Sequence, residues 1–304
     1  MACKRNAPPG SGQPRSAQSL GSPARTAQPK PTLPASEITW DYPTTELGPM
    51  RVVVLIPEHE VEQRLPVLVA LHGRGEALKG PELGARGWVD DYTLPTTIER
   101  LHRPPITLDD LHGFADDARL ARLNASLAKR PYQGLIVVCP FTPDTLPADE
   151  SIDKALPLAR FVVETVLPRA YRETPALGTP ETTGIDGVSL GGRAALGIGL
   201  LRPKAFAVVA SLQAALRSDN SADILKRARE AKAQKADLFV RLLTSSDDYF
   251  LKANQLLASD LEAAGIRTEL VNIPGPHDYD FNRGPGGYEM LMFHDRILRG
   301  QPEF

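Results

Sequence analysis

The feature that most constrains the fold is an alternation of short β-branched runs with longer helical patterns, which begins near Glu37 and continues to the end of the chain. The runs at 67–71 and 135–138 are apolar at every position. A strand with two apolar faces must be covered on both sides, as in a parallel sheet between two layers of helices. The alternation therefore predicts an α/β fold with a mostly parallel central sheet and helices on both faces.

The same patterns place the individual elements. Strands are predicted at 38–42, 51–56, 66–71, 135–139, 183–186, 207–211, 238–243 and 268–273. Helices are predicted at 152–171, 190–201, 221–234, 250–264 and 287–298. The first two strands precede any helix and are joined by a short turn at 46–48. We expect them to form an antiparallel hairpin at one edge of the sheet.

The segment 74–133 joins two predicted core strands and is too long for a single crossover helix. We expect it to leave the sheet as a cap-like insertion. An excursion at the carboxyl ends of the strands commonly overhangs a binding site. Its aromatic residues Trp88, Tyr92 and Phe114 are candidates to line an aromatic or sugar-binding pocket, and they suit equally well the small core that the insertion itself needs.

The first 36 residues differ in composition from the rest of the chain. They hold five basic residues, no acidic residue and seven prolines, with no Val, Ile, Phe, Tyr or Trp. Ordering such a stretch costs roughly 1–2 kcal/mol per residue, and little apolar surface offsets that cost. We predict a disordered tail at 1–36 and one folded domain at 37–304. A plain linker and a lipid-anchored or secreted tether through Cys3 both fit the tail, so the compartment stays open.

Composition excludes several classes of protein. With two cysteines, Cys3 and Cys139, the chain of 304 residues can build neither a disulfide framework nor a zinc-ribbon cluster. A formal net charge of −2 argues against a nucleic-acid partner. No run of about 18 uncharged apolar residues occurs, so no membrane-spanning helix is predicted. The oligomeric state cannot be predicted from these features.

The strongest chemical signal is the pentapeptide Gly187-Val188-Ser189-Leu190-Gly191, between a predicted strand and a predicted helix. A sharp turn from strand to helix strains its central residue and requires small flanking residues. The serine hydroxyl is then held above the sheet at a helix amino terminus, where the dipole favours negative charge. This context predicts that Ser189 is a catalytic nucleophile.

A serine nucleophile needs a base, and the base needs an orienting carboxylate. In hydrolases with this turn the chain order is Ser, acid, His, so the base belongs in a loop after the last strand. His277 has that position, whereas His294 lies inside the terminal helix. The acid should follow the strand at 238–243, where Asp247 and Asp248 are adjacent. Either can reach the His277 loop, and the other can cap the following helix.

The segment Leu71-His72-Gly73-Arg74-Gly75, the serine turn, and the Asp and His loops in this order resemble an α/β-hydrolase, and more narrowly the esterase D-like group of feruloyl, acetylxylan and S-formylglutathione hydrolases. The resemblance covers about 47–299. In that group an apolar residue and then an Asn follow the acid, and Phe250 and Asn254 fit this spacing better from Asp248 than from Asp247. Its Gly-x-His-x-aromatic loop matches 275–279, although the aromatic that often closes it is here Phe281.

The resemblance implies a serine esterase of the α/β-hydrolase fold. Ser189 would attack an ester carbonyl, His277 would take the proton, and Asp248 would hold the imidazole. The backbone N–H groups of Leu190 and Arg74 would be the oxyanion donors. No metal or other cofactor is implied, and the partner would be a small-molecule or sugar-linked ester. An acyltransferase or a serine peptidase on the same fold is the alternative, followed by a binding module without activity.

Three further residues have less specific interpretations. His72 in its His-Gly turn is expected to hold the loop that carries the Arg74 N–H, called the oxyanion loop, through a side-chain hydrogen bond. The Arg74 side chain can bind an anionic group of the substrate or simply face solvent. Cys139 ends an apolar strand and is expected to be a buried thiol.

Overall fold

The structure is a computed structural model, and it describes residues 32–144, 151–217 and 221–301. Most of the predicted tail, including Cys3, lies outside the described residues, so its disorder and any tethering role stay predictions. The first described residues, Thr32–Leu33, already form a short strand. The described residues all belong to a compact unit that starts at Thr32.

The strands of the described residues fall into two sheets. They are β1 (Thr32–Leu33), β2 (Ser36–Tyr42), β3 (Met50–Ile56), β4 (His59–Glu60), β5 (Val67–Leu71), β6 (Ile136–Pro140), β7 (Thr183–Gly187), β8 (Val208–Leu212), β9 (Phe239–Asp247) and β10 (Arg267–Pro276). The main sheet has the order β10-β9-β8-β7-β5-β6-β3-β2, and β1 pairs with β4 in a small antiparallel sheet. The main sheet contains all eight predicted strands within a few residues.

The direction of each strand agrees with the expected topology. β6, β5, β7, β8, β9 and β10 are mutually parallel, whereas β3 runs antiparallel to β6 and β2 antiparallel to β3. The predicted edge hairpin is therefore confirmed. β5 lies between β6 and β7, so the chain leaves β5 to one side and later returns on the other. Such a reversal of strand order opens a crevice at the carboxyl ends of the strands.

The described residues form eleven α-helices and several short irregular helical turns, and the α-helices are given first. They are α1 (Arg74–Ala77), α2 (Gly80–Gly84), α3 (Leu94–Leu101), α4 (Asp117–Lys129), α5 (Leu156–Arg160), α6 (Leu167–Glu173), α7 (Leu190–Leu201), α8 (Ser221–Gln234), α9 (Leu251–Ala263), α10 (Tyr279–Phe281) and α11 (Gly287–Ile297). Short 3₁₀ turns lie at Ile152–Ala155, Pro180–Thr182 and Pro203–Ala205, and π-helical turns at Gly87–Asp91, Phe161–Val166 and Asn282–Gly286. No helix in the described ranges is long and apolar enough to cross a membrane.

The glycines of β7 show that helices cover both faces of the sheet. Side chains alternate between the faces along a strand, so positions 184 and 187 point to opposite sides. A Cβ added at Gly184 would lie 2.5 Å from His294 Nδ1 of α11. A Cβ added at Gly187 would lie 2.5 Å from the Gly191 carbonyl oxygen of α7. The predicted fold class, a mostly parallel sheet between two helical layers, is confirmed.

Candidate active site

Ser189 lies on the sharp turn between β7 and α7. Its backbone has φ 56° and ψ −115°, a conformation that a residue with a side chain rarely adopts. Neighbouring strands hold it there, because the Val188 N–H donates to Leu71 O at 3.0 Å and the Ser189 N–H donates to Leu212 O at 2.9 Å. Strain of this kind persists only where the surrounding structure over-determines it, and it clusters at functional sites.

Close approach of the end of β5 to the start of α7 explains the second glycine of this turn. A Cβ at Gly191 would collide with the carbonyl oxygens of Leu71 and His72, which are backbone atoms that cannot move aside. With glycine there, the end of β5 lies directly against the start of α7. The loop that follows β5 is thus brought next to Ser189.

His277 and Asp248 are hydrogen-bonded to each other. The distance from His277 Nδ1 to Asp248 Oδ1 is 2.8 Å, and the Asp248 side chain is fully buried. The carboxylate also accepts from Thr244 Oγ1 at 2.7 Å and from the Phe250 N–H at 3.0 Å. These bonds fix its position, and they leave His277 Nε2 as the ring nitrogen available to a substrate or nucleophile. Asp247, the neighbouring candidate, is exposed.

A small cavity of about 170 Å³ brings the reactive candidates together. Its lining consists of Gly73, Arg74, Gly75, Glu76, Tyr92, Val188, Ser189, His277, Asp278, Tyr279 and Asn282. Ser189 and His277 therefore face the same space, from the ends of β7 and β10. No direct hydrogen bond joins their side chains in the described part of the chain. Such contacts are often long in free enzymes and tighten when the substrate is bound.

The two candidate oxyanion donors occupy equivalent positions. Leu190 begins α7 and Arg74 begins α1, and the first N–H groups of a helix have no partner inside the helix. The Arg74 side chain has a different partner. It is 68% exposed and forms an ion pair with Asp144, with Nε 2.8 Å from Oδ2. The guanidinium is thus paired with Asp144, and the Arg74 N–H stays a candidate oxyanion donor.

His72 is fully buried at the start of the loop that follows β5. Its Nε2 accepts the Thr142 N–H at 2.9 Å, so Nδ1 carries the proton and donates to Gly73 O at 2.9 Å. Burial lowers the pKa of His72 from 6.5 to about 4. The ring is consequently neutral and holds the loop by two hydrogen bonds, in agreement with the structural role expected from the sequence.

We expect His72 to make the fold sensitive to acid. The imidazole of His72 is protonated below about pH 6.5 in the unfolded chain but only below about pH 4 in the folded chain. The unfolded state therefore binds more protons between these values, and the free energy of unfolding falls as the pH falls from 6.5 to 4. The shift corresponds to roughly 3 kcal/mol. Urea unfolding at about pH 7 and pH 4 should show that the wild type loses this much more than His72→Gln. An equal loss of stability in the wild type and in His72→Gln would contradict the prediction. His112→Gln, which changes an exposed histidine, is the control and should behave like the wild type.

His294, the second candidate base, lies away from the cavity. It is fully buried on α11, and its Nε2 is 3.1 Å from Asp186 Oδ2 on β7. Asp186 also accepts the Gly187 N–H at 2.7 Å. Burial lowers the pKa of His294, which keeps the ring neutral. This pair supports the serine turn from beneath and does not face substrate.

The three aromatic candidates of the insertion have different positions. Tyr92 lines the cavity. Trp88 is fully buried and packs on Tyr92, with ring centroids 4.7 Å apart, so it belongs to the core of the insertion. Phe114 packs on Phe281 at 6.1 Å and is not among the residues that line the described cavity. Cys139 is a buried free thiol whose pKa is raised by burial.

Several residues support the site although the sequence alone gives them no such role. Gln213 follows β8 and is fully buried; its Nε2 donates to Pro276 O at 2.8 Å and thereby holds the residue before His277. Asn254 Nδ2 donates to Ala214 O at 3.0 Å and fixes the start of α9. Glu76 and Asn282 line the cavity although nothing local singles them out, and Tyr279, the aromatic residue of the 275–279 loop, lines it too. Among the described residues no group of three or more His, Cys, Asp or Glu side chains is placed to hold a metal ion.

Comparison with known proteins gives structural matches. No family model and no curated protein matches the chain. A ferulic acid esterase superposes with a TM-score of 0.63 at 18% identity, over 87% of this chain and 99% of that chain. An S-formylglutathione hydrolase from Staphylococcus aureus superposes with a TM-score of 0.59 at 15% identity, over 86% of this chain and 99% of that chain. An enterobactin esterase from Shigella flexneri superposes with a TM-score of 0.56 at 18% identity, over 88% of this chain and 59% of that chain. The chain therefore has the α/β-hydrolase fold, the fold of these esterases.

Proposed function

We propose that this protein is a serine hydrolase that cleaves carboxylic esters. The observation that carries the proposal is the His277–Asp248 hydrogen bond of 2.8 Å beside a cavity that also exposes the strained Ser189. The structural neighbours include a ferulic acid esterase, an S-formylglutathione hydrolase and an enterobactin esterase. We extend ester hydrolysis, but none of those particular substrates, to this chain.

The reaction would begin with transfer of the acyl group to the serine. Ser189 Oγ attacks the ester carbonyl while His277 Nε2 takes its proton, and Asp248 holds the tautomer with the proton on Nδ1. The carbonyl oxygen becomes an oxyanion between the N–H groups of Leu190 and Arg74. His277 then protonates the departing alkoxide, which leaves as the alcohol. Groups preorganised around a developing charge usually make the largest contribution to catalysis.

Release of the acyl group repeats the same steps with water. His277 takes a proton from water, which attacks the acyl carbonyl at the same position between the two N–H groups. The ester bond to Ser189 Oγ breaks, and His277 returns the proton to the serine oxygen. We further propose that the catalytic domain comprises 37–304, with 74–133 as a cap-like insertion that supplies one wall of the cavity.

The size of the cavity predicts a preference for short acyl groups. About 170 Å³ lies below the roughly 300–1,000 Å³ of typical small-molecule sites, and it accommodates about five or six groups the size of water. We expect kcat/KM to fall at least about tenfold from the p-nitrophenyl ester of acetate to that of octanoate, because the longer chain does not fit in this space without displacing the carbonyl group from its reactive position. Initial rates over an acetate, butyrate and octanoate series measure this. A higher kcat/KM for octanoate would contradict the prediction.

The proposed function is tested by p-nitrophenyl acetate hydrolysis and by labelling with a fluorophosphonate probe. Both should depend on Ser189. Peptide substrates, and alcohols offered as acyl acceptors, distinguish the esterase from a peptidase or an acyltransferase on the same fold.

A further inference from the structure

A buried carboxylate lies beside the proposed site and takes no part in the chemistry described so far. Glu76 is fully buried, lines the cavity, and stands two residues after Arg74, whose N–H is a proposed oxyanion donor. Burying an ionised carboxylate is costly unless donors satisfy it. Its partners therefore indicate what the residue does.

Two tyrosine hydroxyls satisfy the Glu76 carboxylate. Tyr92 Oη donates to Oε2 at 2.6 Å, and Tyr279 Oη donates to Oε1 at 2.5 Å. These lengths are typical of O–H···O⁻ bonds, which are about twice as strong as neutral ones. Burial and the nearby Glu76 raise the pKa of both phenols, so both keep the protons that they donate. With each oxygen engaged, Glu76 is not placed to act as a second general base.

The two tyrosines connect Glu76, which follows Arg74 on α1, to the insertion and to the loop that carries His277. Tyr92 belongs to the insertion, and its Oη also accepts the N–H of Gly73, the residue before Arg74, at 3.3 Å. Tyr279 follows His277 by two residues, and its hydroxyl would lie 2.7 Å from a Cβ added at Gly75. Their rings pack with centroids 5.5 Å apart. Glu76 thus joins the oxyanion loop to the loop of the catalytic base.

We infer that Glu76 is a positioning residue, which through Tyr92 and Tyr279 sets the Arg74 N–H and the His277 imidazole at the relative positions that the oxyanion requires. This inference rests on the proposed function. Glu76, Tyr92 and Tyr279 together are called the Glu76 clasp. A displaced N–H binds a trigonal carbonyl almost as well as before but loses contact with the tetrahedral oxyanion. The clasp therefore acts on kcat more than on KM.

The main test is Glu76→Gln, which keeps the shape of the side chain. A neutral amide accepts one phenol hydrogen bond through its oxygen, but its NH₂ group cannot accept the other, so that phenol must turn its O–H away and both charge-assisted bonds are lost or weakened. We expect kcat to fall about 10- to 100-fold, less than the 10²–10³ for deleting an oxyanion donor, because the donor is displaced and not removed. KM should stay within about twofold. The concentration of active sites is measured by fluorophosphonate titration, and kcat is calculated per titrated site. A smaller folded fraction of the variant therefore does not lower its kcat.

A second readout separates positioning from a purely structural role. A trifluoromethyl ketone forms a tetrahedral adduct with the serine, so its affinity reports the oxyanion contacts. In Glu76→Gln this affinity should fall by the same factor as kcat/KM. Tyr279→Phe, at a side chain that is 39% exposed, removes one clasp bond with little risk to folding and should give a smaller loss of the same kind.

Glu289→Gln is the matched control. Glu289 is also a fully buried glutamate, but it is held on α11 by Arg119 and Arg241 away from the cavity. We expect it to lower thermal stability while kcat per titrated site stays within about twofold of the wild type.

Two outcomes would overturn the inference. One is a kcat per titrated site within twofold of the wild type in both Glu76→Gln and Tyr279→Phe. The other is a loss of kcat without any loss of affinity for the ketone. Either result leaves the esterase proposal standing if Ser189→Ala is inactive. Activity that persists in Ser189→Ala contradicts the proposed function itself.

Discussion

Replacing Ser189 with alanine is expected to lower kcat for p-nitrophenyl acetate by roughly 10⁴- to 10⁶-fold. The variant keeps the cavity and the His277–Asp248 hydrogen bond of 2.8 Å, but it loses the oxygen that forms the acyl-enzyme. Only attack by water, assisted by the remaining groups, is left. The initial release of nitrophenolate, corrected for spontaneous hydrolysis, measures the difference. The fluorophosphonate should label the wild type and not the variant.

Ser126→Ala is the control for this experiment. Ser126 is a buried serine of α4, and it is not among the residues that line the cavity. Its removal should leave both hydrolysis and labelling unchanged. If Ser189→Ala hydrolyses the ester at the wild-type rate, or if the probe labels the variant at another residue, Ser189 is not the nucleophile.

The strands were predictable because their signal is local. A buried strand in a parallel sheet must be apolar at successive positions, and β5 and β6 are buried along their whole length. The two-residue strands β1 and β4 carry no such pattern, since their pairing depends on how the chain folds around them. Two helices of the insertion, α1 and α2, have only four and five residues, and a periodicity that needs about three turns cannot be recognised in so few.

Side-chain positions in the site were less predictable than the elements that carry them. Trp88 and Tyr92 are four residues apart in one segment, yet one is in the core of the insertion and the other lines the cavity. The Glu76–Tyr279 hydrogen bond joins residues 203 positions apart. No local pattern encodes such a contact, because it depends on the tertiary arrangement of α1 and the loop after β10.

Replacing Asp248 with asparagine is expected to lower kcat by about 10⁴-fold, with the fold retained. The present carboxylate accepts the proton on His277 Nδ1 at 2.8 Å, which leaves Nε2 free to take the proton of Ser189. An amide nitrogen in this place would donate to Nδ1 and stabilise the tautomer with its proton on Nε2, which cannot act as the base. Rates of p-nitrophenyl acetate hydrolysis, per site titrated, measure the loss.

Asp247→Asn separates the acid role from the local charge, because it removes one negative charge from the adjacent residue. Asp247 is exposed, whereas the Asp248 side chain is fully buried and is also bonded to Thr244 and to the Phe250 N–H. We expect Asp247→Asn to keep kcat within about twofold, since solvent screens an exposed charge. If Asp247→Asn lost activity and Asp248→Asn did not, Asp247 would be the acid, and the His277 loop would have to move during catalysis to reach it.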